Sequence, residues 1–166
     1  EARAAQPDLE SGLTAYYTFD DSTLNNSVGD QKEAEVVGQR LASSNKTAVY
    51  EEGKNGMSVR LGDYGLRLDQ KNLGENFTVS MWLKPDGAFA ENQVALFLGS
   101  DNAPNENWVA VSGNDRTPSA TCKVWGNVGP GWNHTTYDTV EIGSGAWHFL
   151  ALTGTKQTIT AYLDGV

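Results

Sequence analysis

The sequence predicts an all-β protein, an antiparallel β-sandwich, and three observations carry the prediction. Apolar residues recur at every second position through most of the chain, the period of a half-buried strand. Glycine is frequent, at 18 of 166 residues, and turn dipeptides punctuate the sequence at short intervals. Helix signals are few, so nothing supplies the crossover helices that a parallel sheet needs.

In an expected strand at Leu13–Asp20, Leu13, Ala15, Tyr17 and Phe19 share one face, while Thr14, Tyr16, Thr18 and Asp20 share the other. Ala34–Leu41 reads as one or two helical turns or as a strand, and Val36-Val37-Gly38 favours the strand. Met57, Val59 and Leu61 alternate with Ser58 and Arg60. After a Gly-Asp-Tyr-Gly turn, Leu66 and Leu68 alternate with Arg67 and Asp69. Phe77, Val79, Met81 and Leu83 alternate with Thr78, Ser80, Trp82 and Lys84, until Pro85-Asp86-Gly87 stops the strand. The run Val94–Leu98 has no polar residue, which predicts a strand buried on both faces. Further strands are expected at Trp108–Ser112, Thr121–Trp125, Trp147–Thr153 and Thr158–Leu163, with a hairpin loop at Gly154-Thr155-Lys156-Gln157. About nine or ten short strands make one sandwich domain, residues 13–166, behind a polar lead-in at residues 1–12. Asp164-Gly165 is a turn signal that leads into another strand. The sandwich is therefore expected to lack its C-terminal closing strands, as a fragment of a longer polypeptide would.

Charge narrows the function classes. Twelve basic against 21 acidic side chains leave a formal charge of −9, and the basic residues form no cluster. A surface that tracks phosphates needs such a cluster, so no nucleic-acid partner is expected and an anionic membrane is a poor one. No apolar run approaches the roughly 20 residues that span a bilayer. Cys122 is the sole cysteine, which excludes an internal disulfide and a thiolate metal cluster.

Four segments, "GLTAYYTFDD", "GKNGMSVRLGDYGLRL", "NFTVSMWLKPDG" and "AWHFLALTGTKQTITAYLDGV", stand in the order and spacing of the laminin-G-like modules. These modules belong to the concanavalin-A-like lectin/glucanase superfamily. The chain resembles the bacterial branch appended to secreted glycoside hydrolases and surface proteins, over about Leu13 to Val166. The resemblance implies a jelly roll of two antiparallel sheets. It further implies one structural calcium in many members, and a sugar site on the concave face or at a rim.

Endoglucanases share that superfamily, and those that retain configuration need a Glu-x-Asp-x-x-Glu strand holding two carboxylates about 5–5.5 Å apart. No such run exists here. The nearest pairs, Glu33/Glu35 and Glu51/Glu52, lie in polar, turn-rich stretches and read as solvated charges. His134 lies in an expected loop without a Ser-His-Asp arrangement, and His148 shares a strand face with Leu150 and Leu152, as a structural histidine does. There is no nucleophile elbow, phosphate-cradling glycine loop or His-Glu-x-x-His. The segment is therefore not expected to be an enzyme.

Sugar binding needs flat rings for pyranose C–H faces, with amides and carboxylates for the hydroxyls. Trp125 falls on the polar phase of its strand with Thr121 and Lys123, either as an exposed platform or beneath a covering loop. Trp132 lies in a Gly/Pro loop with Asn127, Asn133 and His134, where it is either a binding ring or an anchor for the loop. Trp108 is a further candidate, whereas Trp82 and Trp147 read as scaffold. Asp20, Asp21, Asn25 and Asp30 crowd oxygens into one turn, which suits a structural calcium or an Asn/Asp turn closed by its own hydrogen bonds.

The expected function is a non-catalytic, lectin-like module of a secreted or surface bacterial carbohydrate-active protein, with a glycan as partner. The alternatives are a spacer that packs on an adjoining catalytic domain of the same polypeptide, or a protein-binding adhesion module.

Overall fold

The computed structural model describes residues 11–28, 33–68, 73–100, 107–128, 134–155 and 158–166. The chain divides into two compact units, Glu1–Asn72 and Leu73–Val166.

The first unit holds four short strands: β1 (Glu35–Val37), β2 (Val49–Glu52), β3 (Met57–Arg60) and β4 (Gly65–Arg67). Strands β2 and β3 form an antiparallel hairpin, and β1 pairs antiparallel with β4, an ion pair between Glu35 and Arg67 reinforcing the register. A short 3-10 turn, Gln39–Leu41, follows β1. The strand reading of residues 34–41 therefore holds over Glu35–Val37, and the helical one does not, since Arg40 and Leu41 take positive φ within the turn.

The strand expected at Leu13–Asp20 does not form. Its backbone is engaged elsewhere: the Tyr16 N–H donates to the Asn26 side chain, and its carbonyl accepts from Ser27 N–H. Phe19 adopts φ +63°, which a strand cannot contain. The alternation there reflects Tyr17 and Phe19 turning to one side, where their rings stack 6.5 Å apart.

The second unit contains β5 (Phe77–Leu83), β6 (Val94–Ser100), β7 (Asn107–Gly113), β8 (Thr121–Val128), β9 (His134–Glu141), β10 (His148–Gly154) and β11 (Ile159–Leu163). These make two antiparallel sheets, ordered β11-β10-β5 and β6-β7-β8-β9. Between them lies a core of Val109, Val111, Cys122, Val124, Ile142, Leu150 and Leu152, edged by Met81, Leu96, Leu98 and Val140. This is the all-β sandwich the alternation predicted, consistent with a jelly roll. Burial pushes the Cys122 thiol up to about 11, so it stays protonated and behaves as a small hydrophobe. Among the described residues no helix is long and apolar enough to cross a membrane.

Two strands depart from expectation. Val94–Leu98 is not buried on both faces: β6 lies at the edge of its sheet, with Val94 50% exposed. A register irregularity between Val94 and Leu96 places the neighbours Ala95 and Leu96 both against the core and turns Phe97 outward. His134 opens strand β9 instead of lying in a loop. That strand escapes periodicity because nearly all of it is exposed; its signal is β-branched density, Thr135, Thr136, Thr139 and Val140.

Candidate functional site

Strand alternation gives the four-stranded sheet a second face, opposite the core. Registers fix which side chains meet there. One row across the sheet runs Phe97, Ala110, Trp125, Thr136, and the next runs Gly99, Trp108, Asn127, His134. Four rings therefore converge from four different strands.

Trp108 is the centre of this group. Phe97 stacks on it at 5.6 Å with planes 23° apart. Trp125 and His134 meet it edge-on, at 4.8 Å and 5.2 Å, and meet each other at 5.0 Å. Small neighbours create the room. Gly99 stands opposite Trp108 with φ +114°, and a Cβ there would lie 2.7 Å from the Trp108 Cα. Ala110 lies between Phe97 and Trp125 in the first row. The Trp125 indole N–H donates to Ser112 Oγ at 2.7 Å, which pins the ring from the adjacent strand.

Exposure separates the rings into base and rim. Trp108 is only 8% exposed and Asn127 is fully buried. Both were expected to touch a sugar, and in the structure both are enclosed, forming the floor of the group. Phe97, 40% exposed, and His134 reach solvent, with Trp125 between the extremes. Phe97 was absent from the expected set because its all-apolar run reads as core. Its one distinguishing signal is a position out of phase with Leu96 and Leu98. Lys123 places its ammonium 3.9 Å from the centre of the Trp125 ring. Trp132 and Asn133, also expected here, lie outside the described residues.

The turn expected to hold calcium is organised by its own hydrogen bonds. Asp20 Oδ1 accepts the Met57 N–H at 2.9 Å, tying the turn to β3. Asp21 Oδ1 accepts from the Thr23 hydroxyl and N–H, and the hydroxyl bond above all holds its carboxyl below the usual range. The Asn25 N–H is taken by Thr23 Oγ1. No three of His, Cys, Asp and Glu gather around a metal position among the described residues, and Asp30 lies outside them. In the described part, Asp21, Thr23 and Asn25 are linked by the hydrogen bonds of an Asx-type turn.

His148 is half-buried at the start of β10 with its Nδ1 2.8 Å from Asp164 Oδ2, and Asp164 Oδ1 accepts the Phe149 N–H. The scaffold tryptophans differ from expectation in degree. Trp147 is half-buried just ahead of β10 beneath the Lys84 ammonium, whereas Trp82 is 44% exposed beside Phe149.

Comparison with known proteins completes the description. A laminin G family model of the concanavalin A-like lectin/glucanases superfamily matches residues 57–166. No curated protein matches the sequence. Among solved structures, the chain is similar to domain 4 of a GH43 extracellular arabinanase from Geobacillus stearothermophilus, in complex with arabinotriose. The two share 25% identity and a TM-score of 0.75, over 93% of this chain and 72% of the other.

Proposed function

The chain belongs to the concanavalin A-like lectin/glucanases superfamily, and from that premise we propose that it is a non-catalytic carbohydrate-binding module. The observation that carries the reading is the aromatic face of β6–β9. Four rings are held there by β-strands on the side of the sheet away from the core, Trp108 enclosed at the centre and Phe97 and His134 open to solvent around it. Phe97 and Trp125 offer ring surface to sugar C–H groups. His134 supplies a hydrogen bond, and Trp108 with Asn127 holds the rims in place. Likeness to a domain bound to arabinotriose supports a short oligosaccharide as ligand.

In this reading the module belongs to a secreted or cell-surface bacterial carbohydrate-active protein and keeps it near its glycan. Affinity is weak, with Kd on the order of 0.1–1 mM, because an open face strips little water from a polar ligand. Calorimetric titration with arabinotriose tests the proposal. Phe97→Ala and Trp125→Ala should each weaken binding at least about fivefold in a folded protein. Unchanged affinity in both variants would remove the site from this face.

A second reading, a spacer packed on an adjoining catalytic domain, is favoured by one observation. The outward phase of the three-stranded sheet exposes Trp82 and Tyr162 beside Phe149. A titration that stays silent across glycans, on a folded sample, transfers the assignment to it.

A further inference from the structure

We propose that the aromatic face selects an anionic sugar, one carrying a carboxylate or a sulfate ester, and that Lys123 is the residue that selects it. The inference rests on the glycan-binding reading above and specifies the ligand's charge. It begins from an imbalance. The protein as a whole carries −9, yet a cation rests on the ring cluster: the Lys123 ammonium lies 3.9 Å from the centre of the Trp125 ring.

Two carboxylates on β9 bear on the same region. Glu141 stands opposite Thr121, at the far end of β8 from His134, and Asp138 stands opposite the core residue Val124. Asp138 Oδ1 is engaged by the Thr139 N–H. Among the described residues neither pairs with Lys123, whose ammonium rests on the Trp125 ring instead. A cation in a field of excess negative charge that settles on a ring is held by a weak, reversible contact.

That contact has a consequence for binding. The ammonium covers part of the Trp125 surface that a sugar would use. A neutral sugar must displace it and offers no charge in return. An anionic sugar gives the ammonium a new partner at the edge of the ring, so one swing of the four-carbon stem both uncovers Trp125 and forms a charge-assisted hydrogen bond. Across the row Lys123 is paired with the exposed Thr139 on one side, and on the other with the buried Ser112, whose Oγ is already taken by the Trp125 indole N–H.

The test compares three probes on the intact chain by calorimetric titration: arabinotriose, trigalacturonate and a sulfated, uronate-free trisaccharide. At least one anionic probe should bind about tenfold more tightly than arabinotriose at low salt, with the gap closing in about 0.5 M NaCl. Lys123→Met should bring the anionic-to-neutral ratio close to one, and Lys123→Arg should preserve it. The probe that gains identifies the group as carboxylate or sulfate. Arabinotriose binding as tightly as both anions, or a ratio untouched by Lys123→Met, overturns the inference while leaving the glycan-binding reading intact. If a folded protein binds none of the three, the glycan-binding reading falls and the inference with it.

Discussion

Asp164 shows how much one side chain can hold. Its two oxygens take His148 Nδ1 and the Phe149 N–H, and its own N–H bonds back to the Phe149 carbonyl, so the turn after β11 is fastened to the start of β10. The His148 bond, then the Phe149 bond, draws the carboxyl below its ordinary value of 3.8. A carboxylate with a lowered folded pKa adds stability above its unfolded pKa, and that stability is lost as pH falls through the folded value. Asp164→Asn keeps the shape and one acceptor but cannot titrate. Thermal melts from pH 7 down to 2.5 should show wild type losing its advantage over the variant below about pH 4. Parallel curves would mean that the charge plays no part. The sequence placed His148 on the core face by phase alone, but its partner was invisible, since Asp164 lies 16 residues away in a segment that reads only as a turn.

Among the elements, the two outer strands of the site's sheet, β6 and β9, were the harder ones to read. Strand β7 was legible from Trp108–Ser112 and β8 from Thr121–Trp125, because their core residues alternate cleanly. Strand β9 was not, because an exposed edge strand leaves no hydrophobic period. Strand β6 was legible as a strand but not as an edge, because its bulge sends two consecutive residues inward. The junction of β6 and β7 carries a sharp prediction. Gly99 lies opposite Trp108 in a left-handed conformation that side chains rarely adopt. Gly99→Ala should destabilise the protein by about 2 kcal/mol, a melting shift of roughly 4–8 °C, and displace the Trp108 ring. Near-ultraviolet circular dichroism reads that displacement directly. An unchanged spectrum and melting temperature would show that the close approach of β6 to Trp108 is not needed.

At the scale of the whole chain, chelation tests the Asp20–Asp30 turn. Asp20 and Asp21 each have an oxygen committed to neutral donors of the first unit, so EDTA should shift the melting temperature by less than about 1 °C. A drop of several degrees, reversed by added Ca2+, would give the turn to an ion. Sequence alone determined the fold class, because strand period is a local property written into neighbouring residues. It also singled out Trp125, since an aromatic residue out of phase with a core stands out in one dimension, and named Trp108 and His134 from their amide-rich neighbours. Only the tertiary structure decided their roles. Whether a ring is floor or rim depends on what the adjacent strand places across from it. Gly99 opposite Trp108, Ala110 between Phe97 and Trp125, and Lys123 over Trp125 are set by register and packing between strands, which no single strand's pattern contains.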